Sequence, residues 1–266
     1  MENIIAEAKS LAENGVKELI VVAQDTTKYG IDLYGELKLA ELLKSLCKID
    51  GIEWIRTLYC YPESITDELI DTMASEEKIC KYIDIPLQHA DDGILKSMNR
   101  RGDSAYLREV INKIRNAMPD AVIRTTFIVG FPGEGEKEFE NLAEFINEIE
   151  FDRLGCFAFS PQEGTPAFDF EDQVEEDVKL RRGEIIMQDQ LEIVTVKNHE
   201  RIGKTYRVLV EDYDGYSDSY SGRTYMDAPE IDCVVKFTSS NDYGEGDFCT
   251  VTIINTDEYD LIGEAE

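Results

Sequence analysis

Short apolar runs alternate with amphipathic segments along the first 160 residues of the chain. Apolar residues at helical spacing predict a first helix that ends at Gly15, followed by the apolar, β-branched run 17–23, which is typical of a buried strand. The same alternation continues and predicts strands at 53–59, 80–85, 121–129 and 152–159, with helices between them at 36–47, 66–74, 91–98, 104–117 and 136–150. Pro62 and Pro86 are expected to end the second and third strands.

This order of elements predicts the fold class of the first half. Strands that are each followed by a helix or loop favour a parallel sheet with right-handed crossovers, and hence an α/β fold. Five strands suit an open, partial barrel, because a closed eightfold barrel needs about 250 residues. A regular repeat that begins with a helix also lacks its first strand, so we expect one unpaired sheet edge.

The pattern changes after residue 160. A loop rich in Pro, Gly and Thr covers 160–170, and a long charged helix is predicted from 174 to 199. Beyond it, short strands at 205–210, 233–237 and 248–254 separated by glycines predict a small antiparallel β-barrel. The expected domains are therefore a partial core at 1–170, a linker helix at 171–199 and the small barrel at 200–266.

Charge narrows the classes of partner. The 27 basic and 56 acidic residues give a net charge of −29, which repels nucleic-acid phosphates and favours basic protein surfaces. The apolar runs are too short to span a bilayer, and the first residues carry Glu2 and Glu7 without the basic and apolar blocks of a signal peptide. A cytoplasmic location is the resulting expectation.

The cysteines and histidines show no ligand spacing. Six cysteines, all far apart in the sequence, predict buried free thiols, with neither a disulfide framework nor a metal motif. With only two histidines, His89 and His199, a zinc site is not expected.

Candidate chemistry lies at the predicted carboxyl ends of the strands, where α/β barrels place their active sites. Polar or glycine-rich groups occur there, and the turn 130–134 offers backbone N–H groups to an anion or a ribose. Solvation of loops, helix capping and a purely structural His89 are equally good readings of these residues taken alone. The candidates at the five strand ends are Gln24 and Asp25, Tyr61 and Pro62, Gln88 and His89, Gly130 to Glu134, and Ser160.

Several of these segments, in this order, resemble the strand-end motifs of the radical S-adenosylmethionine methylthiotransferases. They are Val-Ala-Gln-Asp-Thr-Thr at 22–27, Tyr-Cys-Tyr-Pro at 59–62, Ile-Asp-Ile-Pro-Leu-Gln-His-Ala at 83–90, Phe-Ile-Val-Gly-Phe-Pro-Gly-Glu at 127–134 and Ser-Pro-Gln-Glu-Gly-Thr-Pro at 160–166. The terminal barrel is similar to a TRAM domain, and Gly-Arg-Thr-Tyr-Met-Asp-Ala-Pro-Glu-Ile-Asp at 222–232 resembles the RimO branch of the family.

The resemblance implies an enzyme that uses S-adenosylmethionine and two 4Fe-4S clusters. Such an enzyme cleaves the cofactor to a 5′-deoxyadenosyl radical and adds a methylthio group to the β-carbon of an aspartate in the small-subunit ribosomal protein uS12. The CxxxCxxC motif that binds one cluster is absent from the 266 residues, so the chain is expected to be a truncated member with no metal ligands of its own and no activity alone. The resemblance assigns cofactor binding to Gln24, Asp25, Gln88, Arg124, Gly130, Gly133 and Glu134, and substrate binding to Asp227, Glu230 and Asp232.

The branch of the family that modifies transfer RNA (MiaB-like) is the main alternative. Residues 197–266 contain six Lys or Arg and 16 Asp or Glu, a net charge of −10, which favours a basic ribosomal protein over RNA as the partner. The remaining alternatives are a non-catalytic acidic module that binds a basic protein, and a barrel enzyme that uses phosphate or a metal.

Overall fold

The computed structural model describes residues 1–265, which divide into two compact units. The first unit contains residues 1–58, 66–82 and the described residues from Val194 onward; the second contains Tyr59–Ile65 and Ile83–Ile193. No helix within residues 1–265 is long and apolar enough to cross a membrane.

The first unit opens with the predicted alternation of helices and strands. It contains helix α1 (Glu2–Glu13), strand β1 (Glu18–Val21), helices α2 (Ile31–Tyr34) and α3 (Leu39–Leu46), strand β2 (Trp54–Thr57) and helix α4 (Asp67–Ser75). Strands β1 and β2 pair in parallel, as predicted. Helix α4 begins where expected because the Thr66 side chain accepts a hydrogen bond from the Leu69 N–H.

The second unit continues the same alternation. Strand β3 (Ile79–Gln88) begins in the first unit and ends in the second, which then contains helices α5 (Asp92–Ser97) and α6 (Ser104–Ala117), strand β4 (Val122–Val129), helix α7 (Glu136–Ile149) and strand β5 (Arg153–Ala158). The five parallel strands follow the order β1-β2-β3-β4-β5. Helix α8 (Glu176–His199) comes next and is the predicted long charged helix.

Strand β3 differs from the prediction because it does not stop at Pro86. The buried residues Ile83, Ile85 and Leu87 continue the strand on both sides of the proline, each no more than 2% exposed. Proline costs the strand one N–H donor. The burial of these apolar side chains evidently outweighs that single lost bond.

The terminal residues form the predicted small β-barrel, which is closed. Its strands are β6 (Thr205–Asp214), β7 (Ser219–Arg223), β8 (Val235–Ser239), β9 (Phe248–Asp257) and β10 (Asp260–Ala265), in the order β10-β8-β7-β6-β9. All neighbours are antiparallel except the parallel pair of β10 with β8.

Two of these strands, β7 and β10, were missed by the sequence analysis because their polar and glycine residues hide the alternation. The glycine in β7 is a structural requirement: a Cβ on Gly222 would overlap the Leu209 carbonyl oxygen and Val208 Cγ1. The close approach of β6 and β7 therefore explains why a glycine, which is unfavourable in most strands, occupies position 222.

Candidate functional site

In the second unit, a buried ion pair links the middle of β3 to the beginning of β4. Arg124 Nη1 on β4 lies 2.8 Å from Asp84 Oδ1 on β3, and Asp84 Oδ2 accepts the Tyr59 N–H at 3.0 Å. Asp84 is 2% exposed, whereas the Arg124 side chain is 17% exposed. The pair therefore fixes a guanidinium group at a partly open surface of the sheet.

The turn after β4 is held by a buried carboxylate. Glu134 Oε2 accepts the Gly130 N–H at 2.9 Å and lies 3.1 Å from His89 Nε2, while Glu134 Oε1 accepts from Arg182 Nη1 at 2.9 Å. His89 Nδ1 accepts the Asp91 N–H, so His89 Nε2 is the nitrogen that donates to Glu134. Both carboxylate oxygens are thus engaged by protein groups, and Glu134 holds the turn in shape.

The two glycines of this turn have different surroundings. Gly130 has φ +72 and a Cβ there would overlap the Lys179 side chain, so close packing requires a glycine. Gly133 has φ +87 with no atom within 4 Å of its Cβ position, and its N–H donates to the Asp172 carbonyl at 2.8 Å. Open space beside Gly133 lets a ligand approach the backbone, which fits a small-molecule site at this edge.

Gln88 lies at the end of β3 in a left-handed conformation with φ +71 and is half-buried. A non-glycine residue held at positive φ is uncommon and is concentrated at functional positions. The second unit therefore contains five of the seven predicted cofactor-binding residues: Gln88, Arg124, Gly130, Gly133 and Glu134.

The other two, Gln24 and Asp25, lie in the first unit after β1. Gln24 is exposed, and Asp25 Oδ2 lies 2.7 Å from Lys28 Nζ while its other oxygen accepts from the Thr27 hydroxyl. Residues of α1 and β1, together with Asp25 and Thr26, line a largely apolar groove of about 560 Å³ in this unit.

A buried charge network in the first unit fixes the segment that carries the predicted substrate-binding residues. Glu18 on β1 accepts from Arg56 Nε at 2.8 Å and from Arg223 Nη2 at 2.7 Å, and all three side chains are at most 6% exposed. Arg56 also donates to the Tyr225 carbonyl at 2.7 Å and lies over the Tyr82 ring. One carboxylate therefore holds β1, β2 and the barrel strand β7 together.

Two of the three predicted substrate-binding residues, Asp227 and Asp232, are held by hydrogen bonds within the protein. Asp227 is 1% exposed and Asp227 Oδ2 accepts from the Thr224 hydroxyl at 2.9 Å. Asp232 Oδ2 accepts from the Tyr82 hydroxyl at 2.6 Å and from the Ala228 N–H at 2.9 Å. The 224–232 segment folds back on itself and contacts Tyr82 of β3. The hydrogen bonds of the two carboxylates stabilise this conformation. Glu230 alone of the three is exposed, with φ +62.

The cysteines do not converge on a metal site. Within residues 1–265 no group of three or more Cys, His, Asp or Glu side chains is arranged to hold a metal ion. Burial raises the pKa of Cys80 and of Cys156 to about 12, which keeps both as neutral thiols. A 4Fe-4S cluster needs several thiolates at one point, so the described residues do not fit one.

Sequence reasoning missed the residues that position the site: Glu18, Arg56, Asp84, Arg182 and Arg223. One signal was available, since Arg56 and Asp84 are charged residues inside predicted buried strands, where a partner must compensate each charge. Nothing in the sequence identified Glu18 and Arg124 as those partners, or Arg182 and Arg223 as residues that position the site.

Comparison with known proteins gives two family matches. Residues 1–146 match the Radical SAM superfamily, and residues 202–265 match the TRAM domain. The chain is also similar in fold to coproporphyrinogen III oxidase (HemN) from Escherichia coli, a radical SAM enzyme, with a TM-score of 0.53 and 14% identity over 84% of this chain and 60% of that one.

Curated relatives match almost the whole chain. The ribosomal protein uS12 methylthiotransferase RimO of Acetivibrio thermocellus is 53% identical over 99% of this chain and 58% of its own length. The enzyme of the same name from Caldanaerobacter subterraneus subsp. tengcongensis is 52% identical over 99% of this chain and 60% of its own length. The chain thus spans about 60% of the length of these relatives.

Proposed function

We infer that this chain, which belongs to the radical SAM superfamily, is part of a methylthiotransferase that modifies ribosomal protein uS12. The observation that carries this proposal is the identity of about 50% to uS12 methylthiotransferases along the full chain. The target is proposed to be the β-carbon of an aspartate. A ribosomal substrate would place the reaction in the cytoplasm.

Within this function, the second unit would hold S-adenosylmethionine. Gln88 and the Arg124 guanidinium are partly exposed polar groups on adjoining strands, and the open backbone at Gly133 lets the ligand approach closely. Glu134 would act indirectly by keeping the turn in place, since its two oxygens are already engaged. When bound, the cofactor supplies the radical chemistry of the superfamily, and the protein binds and orients it.

The assignment of cofactor binding to Gln24 and Asp25 rests on the resemblance alone and stays a proposal. Asp227 and Asp232 are proposed to shape the substrate-binding segment, and the exposed Glu230 would contact the substrate. The domains 1–170, 171–199 and 200–266 are kept as a proposal, with the family matches at 1–146 and 202–265 in support. Because the described residues do not fit a 4Fe-4S cluster, we propose that the chain alone is inactive.

The cofactor site can be tested by calorimetric titration with S-adenosylmethionine. Gln88→Gly removes the side chain and keeps a backbone that tolerates φ +71. Loss of one hydrogen bond to the ligand, about 1.4 kcal/mol, should weaken binding about tenfold. Asn99→Gly is the matched control, because Asn99 is exposed with φ +56 and lies outside the proposed site. Equal affinities for the two variants would remove Gln88 from the site.

The reaction can be tested by mass spectrometry of uS12. Incubation with the 266-residue chain, S-adenosylmethionine and a reductant should leave uS12 unmodified. A methylthio group on the protein would contradict the proposed inactivity. Tight, salt-sensitive binding of a transfer-RNA anticodon stem, with no binding of uS12, would instead favour the RNA-modifying branch.

A further inference from the structure

In the second unit, aromatic side chains face solvent on β5 and in the segment that follows it. Phe157 on β5, Phe168 and Phe170 are 60%, 42% and 37% exposed. Strand β5 is also the last strand of the sheet, so one of its edges has no neighbouring strand among residues 1–265. Exposed aromatic side chains beside an open strand edge are typical of surfaces that bind another chain.

The segment after β5, residues 160–177, is here called the lip, and it is fixed by specific contacts. Gln173 Nε2 donates to the Ala167 and Phe170 carbonyls at 2.9 and 3.0 Å, which closes the loop on itself. The Phe131 ring packs edge-on against those of Phe159 and Phe170, with centroids 5.0 and 6.2 Å apart. A surface held in one conformation loses little entropy on binding a partner.

The lip is also attached to the proposed cofactor side. The Gly133 N–H donates to the Asp172 carbonyl at 2.8 Å, and Phe131 belongs to the same turn. A polypeptide bound on the lip would therefore be held beside the turn that contains Gly130 and Glu134.

Charge identifies the kind of partner. Residues 160–177 contain no Lys or Arg, and all seven of their carboxylates are exposed. Glu176 pairs with Lys179, while the other six form no salt bridge with any described residue. These six are Glu163, Asp169, Glu171, Asp172, Glu175 and Asp177. Unpaired carboxylates around aromatic anchors complement Lys and Arg side chains and repel phosphates.

We propose that the lip, together with the exposed Phe157 on β5, is the docking surface for a Lys/Arg-rich segment of a basic protein. Its identification as the uS12 surface rests on the proposed function. The aromatic side chains supply most of the affinity as anchors, and the carboxylates speed the encounter and select a basic segment.

Two sets of variants of the 266-residue chain test the surface, with binding to uS12 measured by surface plasmon resonance at low and high salt. The charge variant is Glu163→Lys/Glu171→Lys/Asp172→Lys. Its control is Asp212→Lys/Asp242→Lys/Glu245→Lys, which makes the same change of net charge at exposed positions of the terminal barrel. The aromatic variant is Phe157→Ser/Phe168→Ser, and its control is Tyr216→Ser at a fully exposed tyrosine.

The lip charge variant should bind uS12 at least about tenfold more weakly, chiefly through slower association and with a smaller dependence on salt. The affinity of the aromatic variant for uS12 should fall about tenfold, because the complex dissociates faster. Both controls should stay within about threefold of the unsubstituted chain.

Three outcomes would overturn the inference. If the unsubstituted chain binds uS12 and the lip variants bind equally well, the surface is wrong while the proposed function stands. If the barrel control loses binding and the lip variants do not, the partner docks on the terminal barrel. If the unsubstituted chain does not bind uS12 at all, the partner in the proposed function fails, and the lip inference fails with it.

Discussion

Glu18 offers the sharpest test of how the first unit is held together. Its carboxylate accepts from two buried guanidinium groups, Arg56 at 2.8 Å and Arg223 at 2.7 Å. Glu18→Gln keeps the size of the side chain and removes the charge, which leaves two buried cations without their shared counter-charge. Breaking a buried ion pair by removing one partner costs about 3–5 kcal/mol of stability.

Part of this cost is offset by other partners. Arg56 keeps the Tyr225 carbonyl and the Tyr82 ring, and Arg223 keeps Glu211 at 2.6 Å and the Asp227 carbonyl. However, the Gln side chain has one acceptor oxygen and one NH₂ group. The NH₂ group cannot accept a hydrogen bond from either guanidinium, so one of the two original hydrogen bonds is lost. We therefore expect the loss to stay within about 3–5 kcal/mol even though two pairs are broken.

The assay is urea unfolding followed by the fluorescence of Trp54, the only tryptophan in the chain. Trp54 lies on β2, two residues before Arg56, and its ring packs edge-on against that of Phe248 on β9, with centroids 4.9 Å apart. Its emission therefore reports on the sheet and the small barrel within the first unit. With a denaturant dependence of about 3 kcal/mol per molar, the midpoint should fall by about 1–2 M urea.

Glu53→Gln is the matched control, because it removes the same charge from an exposed pair. Glu53 lies 2.8 Å from Arg207, with side chains 40% and 50% exposed, and such pairs contribute about 0–1 kcal/mol. Glu18→Asp, which keeps the charge, should lose less stability than Glu18→Gln. Midpoints of Glu18→Gln and Glu53→Gln that differ by less than about 0.3 M would refute the idea that the buried carboxylate holds these elements together.

Two further predictions concern the second unit and the thiols. Glu134→Gln should lower the free energy of unfolding by about 3–5 kcal/mol, because the buried Arg182 loses its counter-charge. Glu136→Gln removes an 84% exposed partner of the same arginine and should cost at most about 1 kcal/mol, so equal thermal midpoints would contradict this role of Glu134. Since burial raises the pKa of Cys80 and Cys156 from 9 to about 12, the folded state retains protons that the unfolded state loses, and stability should fall as pH rises from about 9 towards 12. At pH 8.5 iodoacetamide should label Cys156 at least about tenfold more slowly in the folded chain than in urea, and labelling at comparable rates would contradict the shift.

The sequence alone predicted the regular parts of the molecule. Periodicity located α1, α4, α6, α7 and α8 to within a few residues, because an amphipathic helix must repeat its apolar face every 3.6 residues whatever it packs against. It also located the five parallel strands, and the strand-end motifs indicated the radical SAM family, which the match over residues 1–146 confirms.

Tertiary structure decided what local patterns do not encode. Strand β3 continues through Pro86 because Ile85 and Leu87 are buried in the folded chain. Strand β7 can pair closely with β6 because residue 222 is a glycine, which leaves room for the β6 backbone. The exposure of Asp227 and Asp232 depended in the same way on partners far along the chain, such as Tyr82. A buried charge is tolerated only where the fold brings a counter-charge or a hydrogen-bond donor to it, so the roles of Glu18 and Glu134 follow from the positions of Arg56, Arg223 and Arg182 in space.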